Sequence, residues 1–133
     1  MNYLIINALD RYYRFCGDEE TVEYPTGSGK KLTFGQVVAD LQDRLISLFT
    51  RDDSGRRPCF GGTEKMQADP AWKDNLIFSE YFHGDNGAAL GAFHQTGWTG
   101  LIADVIIRRH GTVLSVGDVL RYLAAGSIQR PPP

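Results

Sequence analysis

The sequence predicts an all-α fold, and three observations carry that expectation. Apolar residues recur at helical spacing in several stretches, Thr33 and Gln36 stand in capping-box register, and no stretch shows the strict alternation of a half-buried strand. From Tyr3 to Phe15 the apolar positions are 4, 5, 8, 9, 12 and 15, with Gly17 as the stop, which makes a first helix. Residues 17–32 are polar and broken by Pro25, Gly27 and Gly29, so they read as a connection with a short extended piece at Thr21-Val22-Glu23-Tyr24. A second helix starts from Thr33 and ends near Phe49; one face carries apolar positions 34, 37, 38, 41, 45, 48 and 49, the other Asp40, Asp43, Arg44 and Arg51. Residues 50–63 are charged, contain glycine and Pro58, and read as a surface loop.

A third helix is expected from Ala71 to Phe82, because Asp69 is a good N-cap and Pro70 suits the first helical position. A glycine-dense stretch follows, then a helix from about Thr96 to Arg109 closed by Gly111, and a last one from about Val116 to Ala125 capped by Ser115 with Asp118 three residues on. Residues 129–133, Gln-Arg-Pro-Pro-Pro, cannot continue a helix and read as a disordered tail.

Composition narrows the function classes. The chain has 133 residues, 42% hydrophobic and 23% charged, the size of one globular unit. Fourteen basic against 16 acidic side chains, a net charge of −2, leave no basic excess for phosphates, so nucleic acid is disfavoured as a partner. No apolar run approaches the roughly 20 residues of a membrane span, and no signal peptide opens the chain, so a cytoplasmic protein without a membrane partner is expected. Cys16 and Cys59 match no zinc or redox spacing and read as two buried or half-buried thiols. Thr26-Gly27-Ser28-Gly29-Lys30-Lys31 suggests a phosphate loop, but that motif needs Gly at the place of Tyr24 and Ser or Thr at that of Lys31, so it reads as a turn.

The unusual stretch is 76–107, which carries only three charged residues, Glu80, Asp85 and Asp104. Within it Glu80, Tyr81, His83, Asp85, Asn86, His94, Gln95 and Trp98 crowd together among glycines 84, 87, 91, 97 and 100. Isolated carboxylates among aromatics and amides are costly to bury without partners, and glycines let a backbone turn tightly and approach a ligand. That chemistry describes a carbohydrate cleft. Glu80, read as a helix residue near a C-terminus, sits where the helix dipole disfavours an anion, which argues for a special role. His83, His94 and Asp85 lack a metal-ligand spacing, so the histidines read as hydrogen-bonded. Trp72 and Tyr81 read as core. No nucleophile motif is present.

Gly61-Gly62-Thr63-Glu64-Lys65, Asp69-Pro70-Ala71-Trp72-Lys73-Asp74, Glu80-Tyr81-Phe82-His83-Gly84-Asp85-Asn86-Gly87 and His94-Gln95-Thr96-Gly97-Trp98-Thr99 resemble the C-terminal end of family 63 glycoside hydrolases, in the branch of bacterial glucosidases and mannosylglycerate-hydrolase-like proteins. The likeness extends upstream through Glu23–Gly29 to the first helix and covers the chain to about residue 110, with Glu80–Thr99 its most specific part. It implies helical hairpins forming part of an (α/α)6 toroid, with residues 1–128 as the C-terminal part of the catalytic domain. It also implies inverting hydrolysis of an α-linked glucoside or mannoside without a cofactor or metal. Glu80 would be the general base, Trp98 would lie by the sugar pocket, and His83, Asp85, His94 and Gln95 would orient the base or line the site. Phe93 stands where the family carries a small residue, usually Ser. The family's general acid is an Asp far upstream, so this stretch carries half of the catalytic pair. Twelve helices of about 11 residues need ~130 residues before any connection is added, which makes 133 too short for the whole toroid. The competing expectation is a non-catalytic helical module that pairs with an upstream polypeptide or with itself.

Overall fold

The computed structural model describes residues 1–94 and 97–111. The first helix forms as α1, Asn2–Cys16, and ends where Gly17, at φ 67°, returns its N–H to the Tyr13 carbonyl at 2.7 Å. The connection after it is a hairpin: β1 (Thr21–Glu23) pairs antiparallel with β2 (Lys31–Thr33), Val22 opposite Leu32. The glycines of the decoy phosphate loop lie in its turn, where Glu23 Oε1 accepts the Gly29 N–H at 2.7 Å.

The second helix, α2 (Phe34–Ser47), starts as its capping box requires. Thr33 Oγ1 accepts from Gln36 N at 3.2 Å, and Gln36 Oε1 accepts from Thr33 N at 2.9 Å. Its buried line runs Val38, Gln42 and Ile46, with Val37 beside it, rotated from the stripe the apolar letters drew. Both α1 and α4 (Ile102–His110) pack against α2, and Ile46 shares the core with Ile102 and Val105 of α4.

Between them the chain makes a 3-10 turn at Pro58–Phe60, the short helix α3 (Glu64–Ala68), and a second antiparallel hairpin of β3 (Ser79–Phe82) and β4 (Ala89–Phe93). A 3-10 turn at Trp98–Leu101 leads into α4. One core joins these pieces: Ile46 and Phe49 from the end of α2, Cys59 and Phe60 from the turn, and Ile102 and Val105 from α4, with Phe78 and Phe82 packed against it.

The fold is therefore mixed α/β, with two small antiparallel sheets and, among the described residues, four α-helices. The all-α expectation, and with it the helical hairpins of an (α/α)6 toroid, is overturned. The failure lies at residues 71–82. Asp69 does cap a turn, its Oδ1 accepting from Ala71 N at 2.8 Å, but Asn75 Nδ2 takes the Ala71 carbonyl at 2.7 Å and no helix propagates. Asn competes with the backbone for such bonds and favours turns over helix interiors. The following Leu76–Phe82 is rich in aromatic and β-branched residues that suit a pleated surface. The helix expected over 96–109 begins only at Ile102, after the 3-10 turn, and the short α3 was not foreseen. The helix expected over 116–125 and the tail lie outside the described residues. Both cysteines are free, Cys16 half-buried and Cys59 buried in the core. Among the described residues no helix is long and apolar enough to cross a membrane.

Polar contacts fasten α4 in place. Arg109 grips Asp43 of α2 bidentately, Nε to Oδ1 and Nη2 to Oδ2 both at 2.8 Å. On its other flank Asp104 accepts from Tyr3 OH at 2.8 Å, and Arg108 Nη1 donates to Asn7 Oδ1 at 2.8 Å, which tie it to α1. The Asp43 carboxyl is held below the ordinary carboxylate range chiefly by the Arg109 hydrogen bonds; burial opposes this, and the Arg109 and His110 charges add to it. A carboxyl whose folded pKa is depressed stabilises the fold above its unfolded pKa of about 3.9 and loses that contribution as pH falls through the folded value. Both side chains are substantially exposed, so solvent screening keeps the effect small. Asp43→Asn is expected to lower the urea midpoint at about pH 7, with the gap from the native chain narrowing as pH falls below the ordinary carboxylate range. A gap that persists unchanged in acid would assign the loss to packing instead.

Candidate functional site

The residues singled out from 80 to 98 fall on and beside the β3–β4 hairpin. Phe82 pairs with Ala89, Tyr81 with Leu90 and Ser79 with Phe93, so two residues of β4, Gly91 and Ala92, stand opposite the single Glu80 of β3. This is a β-bulge, with Gly91 in the left-handed region at φ 79°. Glu80 is thus a half-buried strand residue, and the helix-dipole argument made for it does not apply. Its carboxylate Oε2 accepts from Ala92 N at 3.3 Å, and its carbonyl accepts from the Trp98 indole Nε1–H at 2.9 Å.

Past Phe82 the chain turns tightly. His83 N donates to Ala88 O at 2.8 Å, Gly87 N to His83 O at 2.9 Å, and Ala88 N to Asn86 Oδ1 at 3.0 Å. Gly87, at φ 72°, is buried beneath this turn. His83 Nδ1 accepts from Asp85 N at 3.2 Å. The Asp85 side chain is 97% exposed, and its Oδ2 is 4.0 Å from His83 Nδ1.

A groove of about 730 Å³ opens between this hairpin, the start of α1, and the segment from Trp98 into α4. Glu80, Tyr81, His83, Trp98, Tyr3 and Leu4 line it, with Leu45, Leu48, Phe49 and Val105 as an apolar floor. Among the described residues, Glu80 is the single carboxylate that lines it. The structure therefore brings Glu80, His83 and Trp98 together. It does not bring His94 or Asp85 to the groove: His94, left-handed at φ 56°, sets its ring edge-on to Phe78 at 5.9 Å, and Asp85 sits at the hairpin tip. Gln95 lies outside the described residues. Among the described residues no three His, Cys, Asp or Glu side chains are gathered as metal ligands would be.

Three features differ from the sequence reading. Tyr81 is 57% exposed at the groove and Trp72, with Lys65 Nζ 5.2 Å from its ring centroid, is 41% exposed, so neither is core. Phe93 is exposed and away from the groove, so its bulk does not narrow it. Tyr3 and Leu4, more than 70 residues upstream of Glu80, form a wall that the sequence reading did not include. A signal for them was present: the apolar letters of α1 span more of its circumference than one partner can cover, and Met1, Leu4, Ile5, Tyr12 and Phe15 do remain exposed.

No family model matches the chain, and no solved structure does. Among curated proteins, the uncharacterized protein YMR196W of Saccharomyces cerevisiae is 42% identical to it over 104 residues, 77% of this chain and 10% of that protein. The chain spans about a tenth of the length of this relative.

Proposed function

We propose that this chain supplies one wall of the sugar site of an inverting α-glycosidase related to family 63, with Glu80 as the general base and an α-linked glucoside or mannoside as the substrate. The observation that carries the reading is the contact between Trp98 and Glu80. The indole N–H, 2.9 Å from the Glu80 backbone carbonyl, fixes a 55% exposed aromatic ring against the half-buried residue Glu80 at the mouth of an apolar groove. Aromatic faces offer sugars an apolar surface, and a few placed polar groups in an apolar pocket orient a ligand. Inversion needs a second carboxyl about 6.5–9.5 Å from the base to protonate the leaving oxygen. Among the described residues Glu80 is the single acid that lines the groove, and in this reading the general acid comes from another part of a larger protein. A much longer relative supports that division. The free thiols support a cytoplasmic, reducing setting.

The expected result with the purified chain is weak binding of methyl α-glucoside or mannosylglycerate, seen as changes at the Trp98 indole, without turnover. Trp98→Ala should abolish binding and leave the circular dichroism unchanged. Turnover that is lost in Glu80→Gln would overturn the half-site reading, and binding that survives Trp98→Ala would overturn the sugar platform.

A second reading, a docking module for another polypeptide or a second copy, is favoured by the exposed face of α1, where Phe15 is 91% exposed. Exposed apolar surface of this kind marks partner sites. Sedimentation of the chain alone separates the two, since a monomer at high concentration argues against self-association.

A further inference from the structure

We infer that the Gly91–Ala92 bulge is the positioning element for the Glu80 carboxylate, an inference that rests on the reading of Glu80 as the base. A bulge takes one backbone amide out of the strand ladder, and a buried donor left without a partner is costly. Here the Ala92 N–H, in the bulge, meets Glu80 Oε2 at 3.3 Å. To reach it, the carboxylate must lie across the backbone of β4, and Gly91 leaves that path open. A Cβ at Gly91 would stand 2.7 Å from Glu80 Oε2, 2.8 Å from Glu80 Cβ and 2.8 Å from Tyr81 Cε1, closer than such atoms approach. The φ of 79° at the same residue independently disfavours a side chain. Glycine is thus required twice, for the backbone angle that makes the bulge and for the space the carboxylate occupies. The Trp98 indole separately pins the Glu80 carbonyl, so backbone and carboxylate of one residue are each held. With Oε2 engaged by a backbone donor, Oε1 is the oxygen that takes the proton from water as the water oxygen bonds the anomeric carbon and the glycosidic C–O bond breaks, its leaving oxygen protonated by the general acid.

A spectroscopic readout follows, since an amide bonded to a carboxylate senses its ionisation. In a 1H–15N titration of the full chain, the Ala92 amide is expected to shift through one carboxyl titration and to lose that response in Glu80→Gln. Gly91→Ala is expected to remove the response while the amides of α2 and α4 stay in place. Should Gly91→Ala fail to fold, Gly91→Asn tests the same point, because Asn tolerates a positive φ yet still places a Cβ against the carboxylate. An Ala92 amide indifferent to pH in the native chain, or one that titrates as before in either Gly91 variant, would overturn the inference. No saccharide enters this measurement, so a chain that fails to bind sugar but shows the Ala92 response refutes the functional reading and leaves the positioning intact.

Discussion

Replacing Phe49 with alanine is expected to cost about 3–5 kcal/mol, the range for deleting a buried aromatic ring from a core. Against a total of about 5–15 kcal/mol for a domain, that loss leaves a chain at the edge of folding. Phe49 is 5% exposed and sits where three parts of the molecule meet. Its ring lies 6.0 Å from Phe78 and edge-on to Phe82 at 5.4 Å, and its carbonyl accepts from the Arg57 guanidinium. Because Phe78 and Phe82 flank the Ser79–Tyr81 segment, the cavity opens directly beneath the strand that carries Glu80. Urea unfolding measures the stability loss, and amide exchange on β3 measures the loosening. A loss below about 1 kcal/mol would mean that neighbouring side chains collapse into the space.

Gly87→Ala is the second large effect, and it has two additive causes. A left-handed alanine costs about 1–2 kcal/mol. Its Cβ would also lie 2.8 Å from Leu48 Cδ2 and 3.0 Å from Pro58 Cβ, in a buried place where overpacking costs about 1–3 kcal/mol. The sum is about 2–5 kcal/mol, a destabilisation that thermal unfolding would register. Gly84, three residues earlier in the same turn, is the control. A Cβ there meets nothing within 4 Å, and Gly84→Ala should stay within about 0.5 kcal/mol of the native chain. Equal losses at the two positions would assign the effect to turn flexibility in general rather than to this contact.

The helices α1 and α2 were legible because periodicity and capping are local: Thr33 and Gln36 sit three residues apart and bond each other. The β3–β4 hairpin was not, because its strands run only four and five residues and a bulge breaks their alternation at Gly91. A short apolar run such as Leu76–Phe78 fits a strand or a buried helix equally well until length decides. The candidate site was half legible. Glu80, His83, Asp85, His94 and Trp98 are all singled out by the same composition and motifs, but only Glu80, His83 and Trp98 line the groove, because the hairpin turn and the left-handed His94 carry the other two away from it. Tyr81 looked like core and is at the groove. Tyr3 reaches the site through tertiary packing; the wide apolar stripe of α1 signals a second partner for that helix but not which segment it meets.

The Tyr3–Asp104 hydrogen bond joins residues 101 positions apart, and that span sets an order of events in folding. The β1–β2 hairpin and its docking on α2 need only short loops, so they can form early. The groove needs both walls, and its α1–α4 wall closes a loop of about a hundred residues, an entropic cost that must be met before the contact gives anything back. The groove is therefore expected to mature last. Substitutions at Tyr3 should mainly hasten unfolding, whereas those in α2 should slow folding.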